Sequence, residues 1–238
     1  MDLKYNLIAH RGFFDLEEGI PENSKKAFER AIEYNYIIEL DIRKTKDNIL
    51  VVFHDNSLKR ACGIKKKIEE CTYKELKKLY LFNTTSKILT LEEVLKLVSR
   101  KVPIIIEIKG NNKYGVIETM LTNMMDKYKG EYAIQSFNPI NLLWFRRHKP
   151  EIKRGLIKSS KRKDGIIMKI LCSNLVAKCT YYAIDVHIKK FKSKKPLIGW
   201  TIRTKEEYLE YKNKYYNLVC ENMNLYRTGQ YEHKGTNK

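Results

Sequence analysis

Histidine and carboxylate side chains are concentrated in one early stretch of the chain, between residues 7 and 55. His10 and His54 each follow a short apolar run, whereas Glu39 and Asp41 lie within one. Because a histidine has a pKa near ~6.5, one imidazole can accept a proton while a second, protonated imidazole donates one. The pair therefore predicts general acid–base chemistry, and the alternative is that each histidine has only a structural role.

A third carboxylate, Glu107, lies in the apolar run of residues 102–108. Side chains alternate along a strand with period two, so Glu39 and Asp41 are expected to share one face. Three carboxylates with no cysteine or histidine in register favour a hard cation, Mg²⁺ or Ca²⁺. The spacing alone equally allows Glu39 to pair with a lysine or an arginine of the interior.

Two cationic side chains are placed to bind an anion. Arg11 offers a planar fork that matches two oxygens of a phosphate group. Lys109 follows Glu107 by two residues, so both side chains are expected on the same side of one strand. A surface salt bridge is the alternative for each cation taken alone.

Other polar residues stand beside these candidates. Glu22 and Asn23 are expected to support the site or to fix the loop before the first helix. Asn23 and Ser24 can each cap that helix, and an N-cap is the plainest role for Asn23. Asp55 is expected to orient the loop that follows the second histidine.

The elements that position these residues follow from apolar runs that alternate with helical patterns. Strands are predicted over residues 7–9, 36–41, 49–53, 102–108, 132–136, 154–157, 182–184, 197–201 and 218–220. Helices are predicted over residues 23–35, 114–127, 166–171 and 205–212, and behind Thr72, Thr90 and Pro139. The run 49–53 is expected to return beside 36–41, which leaves eight strands that alternate with helices.

This alternation predicts a parallel sheet, and eight strands in 238 residues fit a closed (β/α)8 TIM barrel of the α/β class. Active sites of such barrels lie at the carboxyl ends of the strands, where the candidate residues stand. Only about ten residues separate Asp185 from Pro196, so a short turn is expected there instead of a helix. We expect a single domain over residues 1–226 and a polar tail over residues 227–238.

The composition restricts the kind of site and the compartment. Five cysteines with no CxxC pair argue against a zinc site and against a disulfide framework. We find neither a secretory signal nor an apolar run of about 18 residues. Free thiols in a reducing cytoplasm are therefore expected.

The net charge of +19 has two explanations, attraction to anions or a solvated, lysine-rich surface. Lysine clusters at residues 65–67, 158–163 and 189–195 lack the interleaved aromatic residues of a stacking platform. No nucleic-acid partner is therefore expected. Contact with a membrane surface and the oligomeric state stay open.

Four short motifs occur in a specific order: His10-Arg11-Gly12, Pro21-Glu22-Asn23-Ser24, Glu39-Leu40-Asp41 and His54-Asp55. In this order the chain resembles the glycerophosphodiester phosphodiesterase family. Further matches extend the resemblance to about residue 204: Leu58-Lys59-Arg60 with Gly63, Thr90-Leu91-Glu92-Glu93, Ile106-Glu107-Ile108-Lys109, Gln135-Ser136-Phe137 and Trp200-Thr201.

The resemblance implies hydrolysis of a small-molecule glycerophosphodiester, a deacylated phospholipid, to sn-glycerol 3-phosphate and an alcohol. It implies these roles: a divalent cation on Glu39, Asp41 and Glu107, catalysis by His10 and His54, and phosphate binding by Arg11 and Lys109. Phe137 and Trp200 are candidates for the walls of the glycerol pocket, although aromatic residues at strand ends more often belong to a core.

The resemblance also suggests attack by the substrate's own hydroxyl group through a cyclic phosphate, which the residues alone do not distinguish from attack by water. The nearest alternative is a lysophospholipase D or sphingomyelinase-D-like enzyme, with the same site and an acylated substrate. An alternative from another class is a catalytically silent barrel that binds phosphate.

Three positions depart from the family pattern. Cys62 stands where the family usually has threonine, Arg203 where it has asparagine, and Glu221 where it has aspartate. We expect these changes to affect the periphery and the headgroup side, and therefore substrate identity. We do not expect them to affect the cation site or the histidines.

Overall fold

The computed structural model describes residues 1–110, 113–161 and 178–226. The helix expected at residues 166–171 and the polar tail expected at 227–238 lie outside the described residues. The division of the chain into a domain and a tail therefore stays a prediction. Among the described residues, no helix combines the length and the apolar character that crossing a bilayer requires.

One sheet runs through the described part of the chain. Its strands are β1 Ile8–Ala9, β2 Ile37–Lys44, β3 Leu50–Val52, β4 Leu89–Thr90, β5 Ile104–Ile108, β6 Tyr132–Ser136, β7 Arg154–Lys158, β8 Tyr181–Asp185, β9 Leu197–Ile202 and β10 Asn217–Cys220. Eight of them, all except β3 and β4, pair in parallel with their neighbours. The barrel is closed because β1 pairs with both β10 and β2, which confirms the predicted fold.

Alternation along the barrel strands separates an interior from an outer core. The interior contains a layer of buried apolar side chains: Ile8, Ile37, Ile105, Ala133, Ile157, Tyr181, Ala183, Ile198 and Val219. The side chains of Glu39, Asp41 and Glu107 continue the same faces of β2 and β5 by steps of two residues. They therefore lie inside the barrel, above this apolar layer and towards the carboxyl ends of the strands.

The other face of the strands packs against helices. The described helices are α1 Lys25–Glu33, α2 Lys59–Cys62, α3 Tyr73–Leu76, α4 Leu91–Val98, α5 Val116–Met125, α6 Pro139–His148 and α7 Lys205–Tyr211, with 3₁₀ turns at Ile68–Glu70 and Met223–Tyr226. Capping boxes at Thr72 and Thr90 open α3 and α4, as predicted. Residues 186–196 form no helix, which agrees with the short connection expected there.

The N-cap of α1 differs from the expectation. Ser24 caps the helix, since its Oγ accepts a hydrogen bond from the Ala27 N–H at 3.2 Å. The role of N-cap predicted for Asn23 is wrong. Asn23 adopts a left-handed backbone conformation with a φ of 55°, and its side chain turns towards Asp41 in the barrel.

Residues 50–90, from β3 to β4, form a small excursion from the barrel. Strand β2 runs three residues beyond the expected end at Asp41, because β3 returns antiparallel to it with Ile42 opposite Val52. The excursion has its own apolar cluster: Val51, Phe53, Leu58, Ala61, Ile68, Cys71, Leu76, Leu81 and Ile88. This packing holds the segment from His54 to Arg60 against the open end of the barrel.

Candidate active site

The candidate residues meet in one pocket at the carboxyl ends of the strands. The pocket has a volume of about 160 Å³. The following predicted residues line it: His10, Arg11, Glu39, His54, Glu107, Lys109, Phe137 and Trp200. Asp41 lies next to it, since it is fully buried and stands opposite Glu107 in the register of β2 and β5.

Three carboxylates form the floor of the pocket. Glu39, Asp41 and Glu107 are all buried, and one oxygen atom from each lies within 4.8 Å of the others. Asp41 Oδ1 and Glu107 Oε1 accept no hydrogen bond. The Lys109 ammonium group lies 3.2 Å from the first and 2.5 Å from the second, so the contact of each is with a cation. A donor set of three buried carboxylates, made of oxygen atoms alone, fits a hard divalent cation.

The pKa values of these carboxylates reflect the crowding of like charges. Burial, with the Asp41 and Glu107 charges, raises the pKa of Glu39 well above its ordinary value. Burial likewise raises the pKa of Glu107. Burial alone would also raise the pKa of Asp41, but the Lys109 and Arg11 charges outweigh it and hold that pKa below its usual range. Further positive charge is needed before all three can be ionised together.

The loops that contain the motifs His10-Arg11-Gly12 and Pro21-Glu22-Asn23-Ser24 are hydrogen-bonded to each other. The Asn23 N–H donates to the Arg11 carbonyl at 2.8 Å, and Asn23 Nδ2 donates to Asp41 Oδ2 at 3.0 Å. Gly12 has a φ of +80°, and a Cβ there would lie 3.0 Å from the Ala27 backbone. The two motifs therefore fix a backbone conformation that places Arg11 and Asn23 beside the carboxylates.

Arg11 is paired with acidic residues. Its Nη1 lies 2.9 Å from Glu22 Oε1 and its Nε lies 3.4 Å from Asp41 Oδ2. Its backbone N–H donates to Glu39 Oε2 at 3.1 Å. The guanidinium is thus fixed at the rim of the carboxylate cluster, where it adds positive charge to the pocket.

The first histidine is held by a residue from the last strand end. His10 Nδ1 lies 2.6 Å from Glu221 Oε1, and its Nε2 lies 4.0 Å from Glu39 Oε2. Burial and the Arg11 charge lower the pKa of His10, although Glu221 opposes them. When the carboxylate accepts the Nδ1–H, the neutral ring presents an unprotonated Nε2. Glu221 therefore touches a site histidine, and its expected place at the periphery is wrong.

The second histidine is held in the same way by its neighbour in sequence. His54 Nδ1 lies 2.6 Å from Asp55 Oδ1. Burial lowers the pKa of His54 to about 4. Asp55 therefore contacts the imidazole ring itself, a closer role than orienting the loop behind it.

Arg60 connects the supporting carboxylates. Its Nη2 lies 2.6 Å from Glu22 Oε1, and its Nε lies 2.6 Å from Asp55 Oδ2. Since Glu22 also binds Arg11, a chain of ion pairs runs from His54 to Arg11. Arg60 belongs to one of the matching motifs, but its position in the sequence predicts no such role.

The remaining walls come from β6 and β9. Gln135 Nε2 donates to Glu39 Oε1 at 3.2 Å, another contact that the sequence analysis did not anticipate. Gln135 lies opposite Glu107 in the strand register, and this position is the signal that could have identified it. The rings of Phe137 and Trp200 meet edge to face with their centroids 5.9 Å apart, and both line the pocket as expected.

Comparison with known proteins gives this geometry a family. A glycerophosphodiester phosphodiesterase of Caldanaerobacter subterraneus is 36% identical over 166 residues, 65% of this chain and 67% of that protein. One of Bacillus altitudinis is 32% identical over 163 residues, 63% of this chain and 65% of that protein. The matched part thus spans only about two thirds of the length of these relatives.

Solved structures agree with the barrel. A glycerophosphodiester phosphodiesterase from Parabacteroides distasonis has a TM-score of 0.73 and 26% identity, covering 91% of this chain and 92% of its own. An Oleispira antarctica phosphodiesterase has a TM-score of 0.76 at 21% identity, covering 91% and 92%, which supports the fold alone. Residues 10–221 match the profile of the glycerophosphoryl diester phosphodiesterase family, and the chain belongs to that family.

Proposed function

We propose that the protein is a cation-dependent glycerophosphodiester phosphodiesterase that releases sn-glycerol 3-phosphate and an alcohol. The observation that carries the proposal is a cluster of three buried carboxylates with two histidines beside it in one pocket. The names of the curated relatives support the reaction. The Oleispira protein, which shares the barrel at 21% identity, was solved in complex with the product sn-glycerol-3-phosphate.

Glu39, Asp41 and Glu107 would hold the cation, Mg²⁺ or Ca²⁺. Their donor set is made of oxygen atoms from three buried carboxylates that lie within 4.8 Å of one another. Such a cation supplies Lewis acidity, which neutralises phosphate charge and lowers the pKa of a hydroxyl group. Gln135 and the Arg11 N–H hold the two Glu39 oxygens from different sides, so this carboxylate keeps one orientation.

His10 and His54 divide the two proton transfers that cleavage of a phosphodiester requires. One ring accepts the proton of the attacking hydroxyl, which belongs to water or to the substrate itself, and the other donates a proton to the leaving alcohol. If the substrate's own hydroxyl attacks, water then opens the cyclic phosphate, with the two rings exchanging roles, to give glycerol 3-phosphate. The carboxylates of Glu221 and Asp55 fix the ring orientations through Nδ1, which leaves Nε2 for these transfers. Arg11 and Lys109 offset the charge that develops on the phosphate oxygens.

The test is release of glycerol 3-phosphate from glycerophosphocholine and glycerophosphoethanolamine with Mg²⁺, Ca²⁺ or EDTA. We expect release that depends on the cation. His10→Ala and His54→Ala should each lower kcat by at least ~100-fold, the low end for general acid–base catalysis. His187→Ala is the matched control, because His187 is exposed and is not one of the residues that line the pocket. Near-normal turnover in either site variant would contradict its assigned role.

A lysophospholipase D activity is the second candidate. A rat lysophospholipase D is 32% identical over 139 residues, 52% of this chain and 42% of that protein. Release of a free headgroup alcohol from a lysolipid, with no turnover of the deacylated diesters, would favour this activity. Tight binding of a phosphodiester without turnover at any cation concentration would favour a silent phosphate-binding barrel.

A further inference from the structure

An arginine with no acidic partner lies beside the pocket. Arg43 follows Glu39 and Asp41 on the same face of β2, one step nearer the open end of the barrel. Only 8% of its surface is exposed. Within the described residues its guanidinium makes one hydrogen bond, from Nε to the His54 carbonyl at 2.9 Å, and no carboxylate lies within ion-pair distance.

This arrangement is costly for a buried cation. A charge removed from water needs hydrogen bonds and a counter-charge to offset the loss of hydration. Arg11 and Arg60 have both, and hydrogen bonds to Glu22 and Asp55 raise the pKa of Arg60 above its ordinary value. Arg43 instead has a single hydrogen bond and no carboxylate partner among the described residues. The unmatched guanidinium indicates that an anion from outside the chain completes the site.

A groove of about 660 Å³ provides the space for such an anion. It is lined by Arg43, His54, Asp55, Asn56, Ser57, Lys59, Arg60 and Lys109. It adjoins the catalytic pocket, since His54 and Lys109 line both. Asp55 is the one acidic residue among the lining residues, and His54 and Arg60 already bind it. Lys59 is exposed and forms no ion pair with a described residue, so the groove has an excess of positive charge.

We propose that this groove is a second anion subsite, which binds a phosphate group carried by the alcohol part of the substrate. The inference rests on the proposed function and specifies its substrate class, glycerophosphodiesters whose alcohol is itself phosphorylated. Arg43 and Lys59 bind the additional phosphate, and the Asn56 and Ser57 side chains offer further hydrogen-bond donors. A cationic alcohol such as choline is disfavoured, because it would face Arg43 without a counter-charge.

The experiment compares two diesters that differ by one group, glycerophosphoglycerol and the same compound with a phosphate on its terminal hydroxyl. The wild-type protein should show a kcat/KM about ten-fold or more higher for the phosphorylated diester, the typical gain from charge-assisted hydrogen bonds. Arg43→Gln should lower the ratio of the two kcat/KM values about ten-fold, and Arg43→Lys should retain part of the preference. Lys59→Gln, at an exposed position, lowers the same ratio with little risk to folding.

Lys212→Gln is the charge-matched control. Lys212 lines a separate cleft with Lys4 and Asn217, at the opposite end of the barrel, so its loss should leave the ratio unchanged. An equal loss on both diesters in Arg43→Gln would overturn the subsite and leave Arg43 only the task of holding the His54 carbonyl. An unchanged ratio in both Arg43→Gln and Lys59→Gln would overturn it as well.

Calorimetric titration separates this inference from the proposed function. If the wild-type protein cleaves neither diester with any cation, the proposed function fails. Tighter binding of the phosphorylated diester, lost in Arg43→Gln, would still support the subsite in that case. Equal affinity of the wild-type protein for both diesters would reject it.

Discussion

The two site histidines are held alike by carboxylates that come from very different places in the chain. Asp55 is the next residue after His54, whereas Glu221 is 211 positions from His10. In each pair a carboxylate oxygen lies 2.6 Å from Nδ1. An anion at this nitrogen fixes the tautomer and the ring orientation and stabilises the protonated ring. Glu221 is therefore a positioning residue for His10.

Glu221→Gln tests this role. Glutamine keeps the shape but loses the charge, so we expect kcat to fall about 10-fold with little change in KM, less than the loss in His10→Ala. In a His10→Ala background the same substitution should cost nothing further, because residues that act as a unit are not additive. Steady-state kinetics of the two single variants and the double variant provide the measurement.

Glu29→Gln is the control for this cycle, since Glu29 forms an exposed ion pair with Lys25 on α1. Such surface pairs contribute little to stability. Full additivity of Glu221→Gln and His10→Ala would show that Glu221 acts independently of the histidine, through its other partner Arg203.

Strands explain why much of the fold could be predicted. Residues 102–108 read as one apolar run because β5 is buried on both faces, which is typical of a parallel sheet. The same alternation placed Glu39, Asp41 and Glu107 inside the barrel. A short window of sequence is enough to predict strands and the faces of their side chains, because both depend on residues one and two positions apart in the chain.

Contacts between distant elements could not be predicted in this way. Glu221 reaches His10 only because β10 closes onto β1, and Gln135 reaches Glu39 through β5. Arg60 depends on how the excursion after β3 folds back over the barrel. Asn23 was misassigned because its amide binds Asp41, a tertiary contact that overrides the local preference of asparagine for a helix cap.

The end of β8 offers a pH-dependent stability prediction. Asp185 accepts hydrogen bonds from the Ser160 N–H at 2.9 Å and the Ser160 hydroxyl at 2.5 Å, and from the His187 N–H at 3.0 Å. Although burial opposes the shift, these hydrogen bonds lower its pKa to about 2. A carboxyl group whose pKa is depressed by folding stabilises the folded state above its unfolded pKa of about 3.9, and that stabilisation is lost as the pH falls towards 2.

Asp185→Asn should therefore lower the free energy of unfolding by about 1 kcal/mol at pH 7, after allowance for solvent screening. The difference from wild type should become smaller between pH 4 and pH 2. Urea denaturation at pH 7, 4 and 3 measures it. A difference that stays constant over this range would mean that the ionised carboxylate is not the stabilising form.

At the scale of the whole molecule, the chain has a net charge of +19, and the proposed substrate is a phosphodiester. Lysines and arginines line the pocket, the adjoining groove and the cleft at the opposite end of the barrel. A field of one sign raises the local concentration of anionic ligands and accelerates their capture. The effect weakens with salt, because the Debye length falls from about 10 Å at 0.1 M to about 3 Å at 1 M.

We expect kcat/KM for glycerophosphoglycerol, which has a net negative charge, to fall several-fold when NaCl is raised from about 0.05 M to 0.5 M. Glycerophosphocholine has no net charge and should respond less. Initial rates at substrate concentrations below KM give both slopes, and kcat should change little. Equal slopes for the two diesters would indicate that the basic surface does not attract substrate.

The pairing of β1 with β10 has a consequence for the synthesis of the protein. His10 follows β1 and leaves the ribosome before the other barrel strands, but its carboxylate partner follows β10. A growing chain can therefore assemble the carboxylate cluster and the second histidine while the first remains without its partner. We therefore expect the proposed activity to appear in full only after β10 has closed the barrel against β1.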